Sequence, residues 1–173
     1  VVASSHNEAV VYASLNGYRD DIFKPYLYVS TDYGQNWQPI GTDLPAEPIN
    51  VVREDPKNAN ILYVGTDNGV YISLNQGKTF IRMSGGLPAV AVHDLIVHSR
   101  DNELVVGTHG RSIYVGDVSL IQQLADTLIG KEIHVFALKP LNYAPNWGRM
   151  FDKYSEPRVQ KYEVPFYTKV AGK

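Results

Sequence analysis

The sequence predicts an all-β fold built from repeated four-stranded units. Three observations support this prediction: a segment that recurs at a fixed spacing, short apolar runs rich in Val, Ile, Leu and Tyr, and turn residues between those runs. The recurring segment begins at Ser30 and again at Ser73, an offset of 43 residues. A repeat of about 40–45 residues is typical of the blades of a β-propeller, whose sheets pack face to face around an axis.

The first repeat predicts four strands, at 1–4, 10–14, 26–30 and 36–40. Each is a short apolar run bounded by Gly, Asn, Asp or Pro, which is the pattern of strands and turns. The connection between its second and third strands, 15–25, is longer than in the next repeat and carries Asp20 and Asp21. Insertions of this kind are frequent places for functional elaboration of a repeat.

The second repeat follows the same plan. Its predicted strands are 50–53, 61–65, 70–73 and 79–83, joined by turns at 55–58, 67–69 and 75–77. The third repeat predicts strands at 92–97, 103–107 and 112–115 and then departs from the pattern. Apolar residues from Leu120 to Leu128 fall on one helical face, which predicts one short helix over 120–129 with Ser119 as its N-cap.

The end of the chain predicts two further strands. The strand at 132–138 either supplies the outer strand of the last blade or closes the ring against a neighbour. Residues 140–156 are irregular, and 160–169 alternates apolar and polar residues, with Pro165 favouring a sheet edge. We therefore expect blades at about 1–43, 44–86 and 87–139, followed by an extension over 140–173. Its terminal strand is a candidate start of a following domain.

Three blades do not close a ring, because each blade must be covered by another. The expected partners are further blades of a parent chain or a second copy of this chain. An open stack with unusual caps is the remaining alternative. The chain also begins in a strand-like segment, which suggests a fragment or a processed chain, so the lack of a signal peptide at Val1 excludes no compartment.

Composition sets limits on the function. The chain has 173 residues and a formal net charge of −2, so there is no electrostatic reason to expect nucleic acid or an anionic membrane as partner. No apolar run approaches the ~18 residues of a transmembrane helix. Because cysteine is absent, disulfides, Cys-based zinc sites and thiol catalysis are excluded. We expect no cofactor and no metal.

The recurring segment contains a specific motif. The first copy holds Ser30, Asp32, Gly34 and Trp37 in the pattern Ser-x-Asp-x-Gly-x-x-Trp. In this pattern the aspartate is suited to accept backbone N–H groups of a turn, and the glycine permits a positive φ. The second copy carries the same spacing with two replacements, and its residues are Ser73, Asn75, Gly77 and Phe80.

This motif resembles the Asp-box of the bacterial neuraminidase repeat, or BNR repeat. The resemblance implies a propeller of the sialidase/sortilin-like superfamily. It also implies that the eight box residues are structural, since Asp-boxes lie between strands three and four, at the outer edge and away from the central site. Asp32 is therefore not expected to be a catalytic acid.

Further segments resemble a narrower group of proteins within this superfamily. Residues 24–32, 93–97 and 107–115 are similar to the last blades of large bacterial BNR/sortilin-type proteins labelled glycosyl hydrolases, over about 1–140 of this chain. That resemblance implies a secreted or periplasmic protein with a C-terminal β domain after the propeller. Similar repeats occur in xyloglucan-cleaving enzymes and in sorting receptors. The Cys-rich module of sorting receptors is not visible here, which disfavours a receptor.

The candidate ligand-binding residues are Arg111, His109 and Asp67. Sialidase chemistry needs several arginines for the substrate carboxylate, and Arg111 alone stands at a suitable turn. Hydrolysis by paired carboxylates would draw on Asp67, Asp94 or Asp21. His93, His98 and His109 invite a metal interpretation, but His93 and His98 are five residues apart on one strand and point to opposite faces.

Three functional hypotheses follow. The leading one is a module of a larger secreted protein that binds a glycan or a protein without a complete catalytic site of its own. The alternative is part of a glycoside hydrolase, sialidase-like or xyloglucanase-like, with its catalytic residues mostly on other blades. The third is an assembly scaffold. Tyr143, Trp147 and Tyr154 are candidates for an aromatic surface that binds sugars or a partner, or that covers a blade edge.

Overall fold

A computed structural model describes residues 1–124, 126–138, 140, 144–150, 152–154, 156–157 and 162–169. Over these residues the protein is nearly all β, with antiparallel strands arranged in separate sheets. This confirms the predicted fold class. The chain divides into two compact units, Val1–Ala125 and Asp126–Lys173.

The first two sheets are four-stranded blades whose strands follow one another in chain order. The first contains β1 (Val2–Ala3), β2 (Val11–Leu15), β3 (Tyr26–Ser30) and β4 (Gln38–Pro39). The second contains β5 (Ile49–Glu54), β6 (Leu62–Thr66), β7 (Gly69–Ser73) and β8 (Ile81–Arg82). The register repeats as well, since Tyr12 pairs with Val29 and Tyr63 pairs with Ile72.

The third sheet has three strands. They are β9 (Val92–His98), β10 (Glu103–Thr108) and β11 (Ile113–Asp117), in the order β11-β10-β9. Among the described residues no fourth strand pairs with β11, which is therefore an edge strand. The predicted departure from the repeat after 115 is confirmed, and the third blade is incomplete at its outer side.

The predicted continuous helix over 120–129 is wrong. The chain forms a 3-10 helix at Ile121–Gln123, extended backbone at Leu124, and a short helix α1 at Asp126–Ile129. The reason is that the Asn58 side-chain amide donates hydrogen bonds to the carbonyls of Gln122 and Leu124, at 3.1 and 3.0 Å. Ser119 is not the N-cap, because the N-cap position of the 3-10 helix is Leu120, which makes no side-chain cap hydrogen bond.

The second unit contains α1 and a two-stranded antiparallel sheet. Its strands are β12 (Ile133–Val135) and β13 (Phe166–Thr168). The strand expected at 132–138 is therefore shorter and pairs with the terminal strand, and it is not the outer strand of the third blade. The Tyr167 hydroxyl donates to the Ile129 carbonyl at 3.1 Å. The blade and extension boundaries given above stay predictions.

The core of the first unit lies between the blades. Strand β6 is buried along its whole length, and its side chains alternate between two apolar clusters. Leu62 and Val64 join the cluster shared with the first blade, and Tyr63 joins the cluster shared with the third. The middle blade is thus covered on both faces, as radial stacking of blades requires.

A buried carboxylate joins the second blade to the segment after the third. Asp55 is 0% exposed and accepts the backbone N–H groups of Lys57 and Asn58 at 2.8 and 3.1 Å. It also accepts the Tyr63 hydroxyl at 3.0 Å and the Gln122 side-chain amide at 2.9 Å. Burial, together with the negative charge of Asp55, raises the pKa of Tyr63. Four hydrogen-bond donors therefore share the Asp55 carboxylate as their acceptor.

Candidate functional site

The first Asp-box turn is closed by hydrogen bonds from its own residues. The buried Ser30 hydroxyl donates to Asp32 Oδ1 at 2.7 Å and accepts the Gly34 N–H at 2.9 Å. Asp32 accepts the Asn36 backbone N–H at 2.9 Å and the Asn36 side-chain amide at 2.6 Å. The Trp37 indole N–H donates to the Gly34 carbonyl at 3.0 Å. Gly34 has a φ of 84°, where a side chain would be strained.

The second turn has the same geometry with an amide in place of the carboxylate. Ser73 donates to Asn75 Oδ1 at 2.9 Å and accepts the Gly77 N–H at 2.8 Å. Asn75 Oδ1 accepts the Thr79 N–H at 3.0 Å, and its amide donates to the Thr79 hydroxyl at 2.8 Å. Because these bonds close within each turn, they support a structural role for the box residues, which stays a prediction.

The two boxes should differ in their response to acid. Hydrogen bonds from the Asn36 N–H, the Asn36 side chain and Ser30 lower the pKa of Asp32 from 3.8 to about 2. A lowered pKa in the folded state means that this carboxylate stabilises the protein above pH 3.8 and loses that effect as the pH falls toward about 2. In thermal denaturation from about pH 6 to pH 2, the stability advantage of the wild type over Asp32→Asn should shrink across this window.

Asn75→Asp is the matched test of the second box. It introduces a titrating carboxylate into an equivalent turn, so we expect it to acquire the acid sensitivity that Asp32→Asn loses. A constant difference between the wild type and Asp32→Asn at all these pH values would contradict the assignment.

The candidate ligand residues lie along one edge of the blades, here called the turn edge. In each blade, this edge contains the turn between the second and third strands. The first strand begins at the same edge, because neighbouring strands are antiparallel. Thr66, at the end of β6, pairs with Ile49 at the start of β5. The polar residues of the turn edge include Asn16, Asn50, Asp67, His93, His109 and Arg111.

Asp67 is the last member of a series of hydrogen-bonded side chains that runs from the first blade to the second. The Asn50 side-chain amide donates to Asp67 Oδ1 at 2.9 Å, and the Asn16 amide donates to Asn50 Oδ1. Sequence reasoning missed Asn16 and Asn50. The sequence did contain a signal for Asn16, because Asn16 directly follows β2, the second strand of its blade, as Asp67 directly follows β6.

His109 lies against a second histidine. Its ring stacks on His93 with the ring centroids 5.0 Å apart and the planes inclined by 23°. The His109 backbone N–H donates to the Ala91 carbonyl at 2.8 Å. His98 lies at the other end of β9, where its Nδ1 is 3.1 Å from Asp101 Oδ2. Across the described residues, no three side chains of metal-ligating type come together.

Arg111 lies at the tip of the turn between β10 and β11. It is exposed and forms no hydrogen bond or ion pair within the described part of the chain. Its neighbours Gly110 and Ser112 both have positive φ, and the Thr108 hydroxyl donates to the Ser112 carbonyl at 2.6 Å. Arg111 is therefore an exposed guanidinium in the turn that also contains His109.

The other sequence candidates are placed differently. Asp94 forms an ion pair with Arg53 at 2.9 Å, which links the first strands of the second and third blades. Asp21 lies in the long 15–25 connection, after a 3-10 helix at Tyr18–Asp20. In the second unit, Tyr154 is exposed and lies under the Lys153 ammonium at 4.8 Å. Tyr143 lies outside the described residues.

No protein-family profile and no curated protein matches this sequence. Solved structures do match its fold. An ancestral GH74 enzyme shares 22% identity at a TM-score of 0.53, over 64% of this chain and 13% of its own. The GH74 enzyme of Niastella koreensis shares 20% identity at 0.53, over 66% of this chain and 20% of its own.

The GH74 xyloglucanase of Xanthomonas campestris shares 13% identity at a TM-score of 0.55, over 68% of this chain and 20% of its own. The likeness places this chain in the class of all-β propeller folds. The chain spans a fifth or less of the length of these structures. In the described part of the molecule, no helix has both the length and the apolar character needed to cross a membrane.

Proposed function

We propose that this chain is a carbohydrate-binding portion of a longer Asp-box propeller protein of the BNR, sialidase/sortilin-like type, secreted or periplasmic and related to glycoside hydrolases. The observation that carries this proposal is the turn edge. There, amide, carboxylate, imidazole and guanidinium groups stand at the same edge of three successive sheets. The large solved structures that share this fold, one of them a xyloglucanase, support a carbohydrate as the ligand.

The chemistry of the turn edge suits a hydroxyl-rich ligand. Sugar hydroxyls both donate and accept hydrogen bonds, so they pair with the Asn50 amide and the Asp67 carboxylate as well as with the Arg111 guanidinium. The stacked His93 and His109 rings add a flat surface of mixed polarity beside these groups. The Asn16–Asn50–Asp67 chain fixes the positions of its members before a ligand arrives, which lowers the entropic cost of binding.

The same geometry does not supply a complete hydrolytic pair. Glycoside hydrolysis commonly uses two carboxylates on opposite sides of the scissile bond. On this chain Asp67 is held by Asn50 and Asp94 is held by Arg53. The alternative is therefore a glycoside hydrolase whose acid and base lie mostly on other blades, with this chain contributing binding contacts.

Binding is tested by calorimetric titration of the chain with xyloglucan oligosaccharides, with cello-oligosaccharides and a sialylated trisaccharide for comparison. Arg111→Ala and His109→Ala should each weaken the binding of the preferred ligand about tenfold, the effect of losing one good hydrogen bond to a charged group. Release of reducing ends from the same oligosaccharides, measured in parallel, would favour the glycoside-hydrolase alternative.

Arg100→Ala is the matched control. Arg100 is a second exposed arginine, in the turn between β9 and β10 at the opposite edge of the same sheet, where it pairs with Asp101. Its removal should leave affinity unchanged. If Arg100→Ala and Arg111→Ala weaken binding equally, or if none of the oligosaccharides binds, the turn edge is not the site.

A further inference from the structure

Two asparagines of the chain are followed directly by glycine, at Asn16-Gly17 and at Asn68-Gly69. An asparagine before glycine is prone to deamidation, because glycine has no side chain to hinder the approach of its backbone nitrogen to the asparagine side chain. The two pairs lie in different structural settings. The setting decides how easily the reaction occurs in the folded protein.

The reaction needs only the chain itself and water. The glycine backbone nitrogen attacks Cγ of the asparagine side chain, and the new C–N bond closes a succinimide ring. The side-chain nitrogen leaves as ammonia, with the proton of the glycine N–H. Water then opens the ring at either carbonyl carbon, which leaves aspartate or isoaspartate. Ring closure requires rotation about the asparagine ψ angle, so a turn that is fixed by hydrogen bonds opposes the reaction.

Asn68-Gly69 lies in a tight hairpin turn that several hydrogen bonds hold. Gly69 is the first residue of β7 and pairs with Thr66 at the end of β6, a strand that is buried along its whole length. The Thr66 hydroxyl accepts the Asn68 N–H at 3.2 Å, and the Asn68 carbonyl accepts the Arg82 guanidinium at 2.9 Å. Ring closure at Asn68 would therefore disturb the pairing of two central strands.

Asn16-Gly17 lies in the long connection that follows β2, outside any strand or helix. Asn16 is exposed, and its side-chain amide donates to Asn50 Oδ1. The Gly17 N–H, which supplies the attacking nitrogen, donates no hydrogen bond to any residue that the structure describes. Ring closure at Asn16 therefore disturbs no strand pairing.

The packing of the same connection requires glycine at position 17. A Cβ added to Gly17 would lie 2.9 Å from both the Cβ and the carbonyl oxygen of Ile22. The Gly17 carbonyl accepts the N–H groups of Asp20 and Ile22 at 3.0 and 3.1 Å, which closes the turn. Because a larger residue would displace this backbone, the fold retains the glycine that makes Asn16 reactive.

We propose that Asn16 deamidates spontaneously in the folded protein, faster than Asn68, and that the product breaks the hydrogen-bonded link between the first two blades. Asn50 now accepts the Asn16 amide and donates to Asp67 Oδ1 at 2.9 Å. A carboxylate at position 16 has no proton to donate to the Asn50 oxygen. If Asn50 reverses its amide to donate to position 16, its oxygen faces the Asp67 carboxylate instead. Either orientation loses one of the two contacts.

Peptide mapping by mass spectrometry during incubation at mildly alkaline pH measures both rates in the full chain. Asn16 should react about tenfold faster than Asn68 in the folded protein, the factor for one further hydrogen bond that must break at Asn68. In concentrated urea the two rates should converge, because both turns are lost. Asn16→Gln is the matched control, since its longer side chain disfavours ring closure, and the rate at Asn68 should not change. Equal rates in the folded protein, or a ratio that persists in urea, would overturn the proposal.

Variants with defined side chains test the effect on the link. In Asn16→Asp, the NMR signals of the Asn50 side-chain amide should shift, because one of its two partners is lost. The further substitution Asp67→Asn should return them toward their wild-type positions, since Asn50 then donates to the new carboxylate and accepts from the new amide. Unchanged Asn50 signals in Asn16→Asp would contradict the loss of the link. Neither measurement uses a glycan, so the result is independent of the proposed function.

Discussion

Replacing Asp55 with alanine is expected to cost about 3–5 kcal/mol of unfolding free energy, because four hydrogen-bond donors lose the one charged acceptor that they share. The Asp55 side chain is completely buried and accepts hydrogen bonds from two backbone N–H groups, the Tyr63 hydroxyl and the Gln122 amide. Alanine leaves the buried Tyr63 hydroxyl and three part-buried donors without this acceptor, and each donor that finds no other partner costs about 1–3 kcal/mol. Urea denaturation followed by circular dichroism measures the loss.

Two variants distinguish the loss of the Asp55 hydrogen-bond network from the simple loss of a negative charge. Asp94→Ala also removes a carboxylate, but Asp94 is largely exposed and its Arg53 pair lies at the surface, so the cost should stay within about 1 kcal/mol. Tyr63→Phe removes one donor of the Asp55 network and should cost less than Asp55→Ala. If Asp55→Ala and Asp94→Ala were equally mild, the buried network would not hold the second blade to the segment after the third.

The strands were predictable because their signal is local. Alternating apolar residues and turn residues located β3 at Tyr26–Ser30, and the other predicted strands of the first unit differ from the observed ones by one or two residues at their ends. The helix prediction over 120–129 failed because a distant side chain, Asn58, takes the carbonyls that the helix would have used. A contact across more than 60 residues leaves no trace in local periodicity.

The candidate site likewise combines residues that the sequence predicted with contacts that it did not predict. Sequence reasoning proposed Asp67, His109 and Arg111 because they occupy strand-to-strand turns of the repeat, and their role in binding stays a prediction. It did not find the stacking of His93 on His109, because that contact depends on the distance between the start of β9 and the end of β10.

Gly77→Ala is expected to cost about 2–5 kcal/mol, more than Gly34→Ala, although both glycines occupy the same position of an Asp-box. Their φ angles are 83° and 84°, so the backbone strain of about 1–2 kcal/mol is common to both. At Gly34 an added Cβ meets only the Trp37 ring at 3.8 Å. At Gly77 it would lie 2.7 Å from Ile40 Cδ1, and overpacking of this kind adds about 1–3 kcal/mol.

The double variant Gly77→Ala/Ile40→Val separates the two costs. Valine at position 40 lacks the Cδ1 atom that would lie 2.7 Å from the new methyl group, so the closest clash should be relieved. The backbone strain and the 3.3 Å approach to Leu62 Cδ1 remain. In a thermodynamic cycle measured by urea denaturation, the two substitutions should therefore be less destabilising together than the sum of each alone. Additive effects would mean that Gly77 is required for its φ angle only. A favourable coupling would mean that this box turn also sets the spacing between the first and second blades, where the Gly41 N–H donates to the Gly77 carbonyl at 2.9 Å.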